Sequence, residues 1–174
     1  TIGWIGSPTN HVYLRQMAEP LARLARQQPV RFVVVGAECS PIEGVEVICK
    51  PWSQATEVDD INGFDIGIMP LHDDAWARGK CGFKLIQYLA CGVPVVATAV
   101  GANLDIVTPG VGYLVSDGRQ WFEALSALAG DANLRQTMGE EGRMLVKKRF
   151  SLDSTAELLA DIILSPVHNG LRVP

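Results

Sequence analysis

Gly79-Lys80-Cys81-Gly82-Phe83-Lys84-Leu85-Ile86-Gln87-Tyr88-Leu89-Ala90-Cys91-Gly92-Val93-Pro94-Val95-Val96-Ala97-Thr98 runs from a polar, glycine-bearing loop into an amphipathic helix. A Gly-x-Pro turn then leads into an unbroken apolar strand. Strands that read as continuous apolar runs, rather than as in/out alternations, are buried on both faces. Alternating with helices, they call for a parallel sheet covered on each side. The same stretch is a candidate anion corner. The first turn of a helix presents unpaired N–H groups and the positive end of the dipole, and Lys80 and Lys84 add full charge beside it. Two solvated lysines on an ordinary helix are the competing reading of the residues alone.

Outward from this stretch the chain repeats the pattern. Ile2 to Gly6, Val30 to Val35, Val45 to Cys49, Phe64 to Pro70, Val93 to Thr98 and Gly112 to Val115 read as six short buried strands. Helices are expected from about His11 to Gln27, kinked or split by Pro20, and from Thr56 to Ile61. Further helices are expected from Gly118 to Ala129, from Ala132 to Lys148 and from Leu152 to Leu164, with a single turn near Leu104 to Ile106. The sum is an α/β chain with a doubly wound parallel sheet of about six strands and helices on both faces. Ligands of such sheets bind at the carboxyl ends of the strands, at the switch point. Gly6 and Ser7 after the first strand, Trp52 after the third and the polar loop Leu71 to Gly79 after the fourth all fall on that edge.

Composition narrows the function. With 174 residues, 48% apolar and 20% charged, the chain makes one well-packed domain spanning residues 1–174. No apolar run reaches membrane-span length, and the opening on Thr1 directly into a strand is read as a piece of a longer protein. The net charge of −4 argues against nucleic acid as a partner, and Lys147-Lys148-Arg149 is read as complementing a helix C-terminus. Cys39, Cys49, Cys81 and Cys91 form no CxxC pair, so reduced thiols and a cytoplasmic setting are expected. The chain contains neither GxGxxG, nor a GxxxxGK-type phosphate loop, nor a GxSxG elbow. His72, Asp73 and Asp74 are adjacent rather than spaced around one ion, so no metal is assigned. What remains is a pair of polar or cationic helix starts facing each other across the strand ends, suited to a diphosphate.

Phe64 to Leu71, Lys80 to Thr98, Val100-Gly101, Asn103 and Gly112 to Val115 together resemble the carboxy-terminal domain of the group 1 (family 4) glycosyltransferases, retaining enzymes of GT-B architecture. The resemblance covers nearly the whole chain. It implies a Rossmann-like domain, one half of a GT-B fold, that binds a nucleotide-sugar donor without cofactor. An absent amino-terminal domain would receive a glycan, lipid or other acceptor, and any placement at the inner membrane face would come through that part. The family pattern is E-G-F-G-L-x-x-x-E-A-M-A. Here Gly79 stands in place of the first glutamate, which contacts the donor sugar, and Gln87 in place of the second, which contacts the ribose.

The family's Arg and Lys pair is also missing, and Lys80 and Lys84 are expected to supply its charge. The resulting assignment gives Gly6, Ser7, Lys80, Gly82, Phe83 and Lys84 to the diphosphate, and Trp52 and Gln87 to base and ribose. Lys80 and Asp74 are the catalytic candidates, with Asp73 as the alternative carboxylate. Two other readings stand beside transfer: a non-catalytic nucleotide-sugar-binding module, and a UDP-sugar epimerase of GT-B architecture that would use His72 with Asp73 and Asp74.

Overall fold

The computed structural model describes residues 1–164. Strands β1 (Ile2–Ile5), β2 (Arg31–Val35), β3 (Glu46–Lys50), β4 (Ile66–Met69), β5 (Val95–Thr98) and β6 (Gly112–Val115) form one sheet. All pairs are parallel and the order is β3-β2-β1-β4-β5-β6. The helices are α1 (Ala18–Ala25), α2 (Glu57–Asn62), α3 (Ala75–Arg78), α4 (Phe83–Ala90), α5 (Asn103–Ile106), α6 (Gly118–Gly130), α7 (Ala132–Arg149) and α8 (Leu152–Leu164). The doubly wound, Rossmann-like reading of the sequence is what the chain adopts.

Because successive side chains of a strand point to opposite faces, the apolar runs supply two cores at once. Ile2, Trp4, Phe32, Val34, Ile66, Ile68 and Val96 meet α1 and α6 on one side, through Leu21, Leu24, Trp121 and Leu125. Ile5, Val33, Val35, Met69, Val95 and Ala97 meet Leu85, Tyr88 and Leu89 of α4 on the other.

The winding of the chain reverses between β1 and β4, whose parallel pairing covers only Ile2↔Ile66 and Gly3↔Gly67. Both glycines are there for close approach. A Cβ on Gly3 would stand 2.1 Å from the Phe64 ring, and one on Gly67 would stand 2.5 Å from the Tyr88 ring. Past that point the strands part, and the fully buried Tyr88 hydroxyl accepts the Ile5 N–H at 2.9 Å. Tyr88→Phe removes that acceptor and leaves a buried donor unpaired. The expected loss is about 1–3 kcal/mol, and a thermal melt should show it as a fall of roughly 5 °C in a chain of this size.

Three expectations are corrected. The helix expected from His11 begins instead as a 3-10 segment, Pro8–Met17, and α-helix starts only at Ala18. This places Pro20 in the first turn of α1, where its missing N–H has no intrahelical partner to lose. The loop after β4 contains a short helix, α3, capped by Asp74. Cys39 and Cys49 are not free thiols: they form a disulfide with Cα atoms 6.1 Å apart. The chain after β2 folds back over the end of β3, an adjacency that spacing along the sequence does not reveal. Cys81 and Cys91 are free, as expected. With Cys39 and Cys49 bonded, the thiol argument for a cytoplasmic setting falls away. The basic run Lys147-Lys148-Arg149 closes α7, where Arg149 donates to the Asp105 carbonyl at 3.1 Å. Among the described residues no helix is long and apolar enough to cross a membrane.

Candidate functional site

Where β1 and β4 part, their carboxyl ends open onto a cavity of about 1080 Å³. Its wall includes Gly6, Ser7, Trp52, Lys80, Gly82, Phe83, Lys84 and Gln87, so eight residues singled out from three separate segments of sequence converge on one space. Asp74 does not join them. Its carboxylate accepts the Ala77 N–H at 2.7 Å as the cap of α3, and the cavity wall is formed here by Trp76 of that helix and by Gly79 and Lys80 beyond it. Asp73 is tied to Arg78 at 2.8 Å on the surface, and the hydrogen bond from that guanidinium holds its carboxyl below the usual range. His72 packs edge-on to Tyr13 and lies off the wall. Among the described residues no group of His, Cys, Asp and Glu could hold a metal ion.

One end of the cavity is cationic. The backbone at Gly82 has φ +71°, in the left-handed region that glycine tolerates, and this swings the chain from the Lys80-Cys81 loop into α4. The opening N–H groups of α4 have no intrahelical acceptor and lie at the cavity wall beside Phe83. Lys84, the second residue of the helix, reaches under Gly6 and places Nζ 4.1 Å from the Trp4 ring centroid. A Cβ on Gly6 would stand 2.9 Å from that Nζ, so the glycine makes room for the ammonium. Among the described residues Lys84 has no hydrogen-bond or ion-pair partner. Burial, with the nearby Lys80 charge, pushes its pKa down to about 7.

Lys80 is better satisfied. It donates to Asn10 Oδ1 at 2.7 Å and lies 4.5 Å from the Tyr13 ring centroid. Burial lowers its pKa, with Asp74 partly opposing. Asn10 in turn donates to Ser7 Oγ at 2.8 Å, and the Ser7 and Thr9 hydroxyls share a bond at 3.0 Å. The side chains of the first corner therefore act as a support for Lys80 and make no capping bond to the 3-10 segment.

A carboxylate stands elsewhere on the same wall. Glu57, the first residue of α2, accepts the Trp52 indole N–H at 2.6 Å through Oε2 and a hydrogen bond from the Gln87 amide through Oε1. Trp52 remains 52% exposed, with its ring held by this bond at the rim. Sequence reasoning did not single out Glu57. An acid in the first turn of a helix is ordinarily read as complementing the dipole. The one signal available was its position five residues beyond Trp52, at the carboxyl edge of the sheet. The cavity thus combines two lysines and a helix N-terminus with a separate carboxylate and an indole, an arrangement able to hold a polyanion attached to a hydroxylated ring.

A family model described as glycosyl transferases group 1 matches residues 1–131. The chain is 36% identical over 86 residues to the GDP-mannose-dependent monoacylated alpha-(1-6)-phosphatidylinositol monomannoside mannosyltransferase of Corynebacterium glutamicum, covering 48% of this chain and 23% of that protein. It is 34% identical over 116 residues to the D-inositol 3-phosphate glycosyltransferase of Corynebacterium jeikeium, covering 63% of this chain and 26% of that protein. The chain therefore spans about a quarter of the length of these curated relatives. Among solved structures, the carboxy-terminal domain of the glycosyl transferase group 1 family protein LpcC from Francisella tularensis superimposes with a TM-score of 0.68 at 20% identity. That match covers 87% of this chain and 86% of that domain, and shows the shared fold.

Proposed function

The chain belongs to the group 1 glycosyl transferases, and from that premise we propose that it is the donor-binding domain of a retaining enzyme that moves a sugar from a nucleoside diphosphate to an acceptor. The observation that carries this reading is the Lys84 ammonium, enclosed between Trp4 and Gly6 in the first turn of α4, beside Lys80 and without an anionic partner among the described residues. An uncompensated buried cation is costly. A diphosphate seated there would relieve that cost, accepting hydrogen bonds from Lys84, Lys80, the amides near Gly82 and Phe83 and the Gly6-Ser7 corner. The named relatives fit this ligand class: one is GDP-mannose-dependent, and the TarM structure of S. aureus, at a TM-score of 0.73 and 15% identity over 94% of this chain and 35% of that chain, is a complex with UDP.

In such a transfer the bond from the anomeric carbon to the diphosphate oxygen breaks, and negative charge accumulates on the departing diphosphate. Fixed cations and helix N–H groups at the cavity wall stabilise that charge more than they stabilise the intact donor. Lys80 is assigned this catalytic role. Asp74 assists by capping α3, which leads into Gly79 and Lys80, and through its charge at Lys80. Trp52 and Gln87 take the base and ribose. Neither metal nor cofactor enters the scheme, and the acceptor belongs to another part of the protein.

Titration with UDP- and GDP-sugars tests the assignment. Lys80→Ala should weaken diphosphate binding by about tenfold or more, the weight of one charge-assisted hydrogen bond. Unchanged affinity would remove Lys80 from the site. A second reading, a binding module without transfer, is favoured by Gly79, which offers no side chain where a sugar-contacting carboxylate is expected. Product analysis of the protein with a donor and candidate acceptors separates the two. The epimerase reading has less support, since His72 lies off the cavity wall.

A further inference from the structure

The geometry points to Glu57 as the residue that selects an unsubstituted ribose, by accepting hydrogen bonds from the vicinal 2′- and 3′-hydroxyls of the bound nucleotide and repelling a phosphate at either position. The inference rests on the donor-binding reading above and adds to it a residue and a selectivity.

Three observations carry it. First, the Glu57 carboxylate is held at the cavity wall by two neutral donors from different elements, Trp52 Nε1 at the end of β3 and the Gln87 amide on α4. Among the described residues no lysine or arginine pairs with it, so its charge is not spent on a protein cation. Second, an ionised carboxylate offers about four acceptor positions. Two are occupied, one on each oxygen, which leaves each oxygen free to take one hydroxyl of a diol. Third, Trp52 presents a half-exposed ring fixed by the same carboxylate, so one group positions the indole and the diol acceptor together.

The arrangement also accounts for Gln87. A glutamate at 87, within hydrogen-bond reach of Glu57, would set two carboxylates against each other, whereas an amide there donates to Glu57 and locks its orientation. The carboxylate is thus supplied by α2 and the amide by α4.

The experiment is calorimetric titration of the chain with UDP, GDP, their 2′-deoxy counterparts and inorganic pyrophosphate, using wild type, Glu57→Gln, Glu57→Asp and the exchange pair Glu57→Gln with Gln87→Glu. Wild type should prefer the ribonucleotide that it binds over its 2′-deoxy form by about tenfold, one hydrogen bond to a charged group. Glu57→Gln should bring that ratio to within about twofold while pyrophosphate affinity stays level, and the exchange pair should restore part of the preference. Glu57→Asp keeps the charge but shortens the reach, and should fall between, showing that a misfolded glutamine variant is not the cause. Retention of the full ratio in Glu57→Gln, or no ribose preference in wild type, overturns the inference and leaves the donor reading standing. Absence of binding by every nucleotide and by pyrophosphate overturns both.

Discussion

Replacing Lys84 with methionine should raise the stability of the free protein and weaken its affinity for pyrophosphate and nucleoside diphosphates by about a hundredfold, the weight of one partner in a buried charge pair. The two effects have opposite signs because they have one origin. In the free protein the ammonium sits under Gly6 against Trp4 with no counter-ion among the described residues, and burial drives its pKa from the ordinary 10.5 to about 7. A base whose folded pKa lies below its unfolded value holds fewer protons when folded. Between pH of about 7 and 10.5 the unfolded chain therefore binds the extra proton, and the contribution of Lys84 to stability rises with pH across that window. Below it the cost of burying the charged form is felt in full, on the order of a few kcal/mol.

Methionine occupies similar volume without charge. Chemical denaturation at pH 6.5 should find the variant more stable, and denaturation at pH 9.5 should find the difference reduced. Binding completes the case. An anion beside Lys84 raises its pKa again, so at pH 8 wild type should take up protons on binding pyrophosphate, seen as a dependence of the binding enthalpy on buffer ionisation heat, while the variant does not. A variant that is less stable and binds as before would make Lys84 an ordinary packing residue.

Gly139→Ala, on the far side of α4 from the cavity, should destabilise the protein by about 3 kcal/mol, the upper end of ordinary overpacking. In an isolated helix the same change would stabilise by about 1 kcal/mol through propensity alone. Packing reverses the sign. A Cβ at 139 would stand 2.1 Å from the Gly92 carbonyl oxygen and 2.9 Å from its carbon, and both are backbone atoms with no rotamer to turn aside. Helix α7 must back away from the turn that leads into β5. In doing so it loosens Arg143, which donates to the Ala90 and Cys91 carbonyls at 3.3 Å each and so satisfies the C-terminus of α4. Urea unfolding checks the result, with a fall in melting temperature of about 10 °C expected alongside. A more stable variant would mean that α7 does not pack here.

The architecture was legible because each strand announces itself by an apolar run and each helix by its spacing, and because parallel sheets leave few ways to connect them. The cavity wall was legible for a related reason: the carboxyl edge of such a sheet collects whichever polar residues follow its strands, and Gly6, Ser7, Trp52, Lys80 and Gln87 do follow them. What spacing does not encode is depth and cross-chain pairing. Lys84 reads as a helix-face residue until Trp4 and Gly6, far away in the chain, are seen to enclose it. Glu57 acquires a role only because α2 and α4 meet across a separation of 30 residues. The Cys39–Cys49 bond depends on how a loop folds back over β3. The local use of Asp74 was hidden for the converse reason: a short helix begins immediately after it, and its carboxylate caps that helix.

The narrow pairing of β1 with β4 also sets when the cavity can exist. β1, β2 and β3 follow one another in the sequence, as do β4, β5 and β6, so each half-sheet closes comparatively short loops. Joining β1 to β4 closes the longest loop of any strand pair and is rewarded by only two residue pairs. Chain entropy opposes that step most, which makes it a late event in folding. Tyr88→Phe, which weakens the seam beyond those pairs, should accordingly speed unfolding and leave the refolding rate nearly unchanged. The two lysines, the carboxylate and the indole come together only when the halves join, so partly folded chains lack the assembled cavity and a bound diphosphate acts on the completed molecule alone.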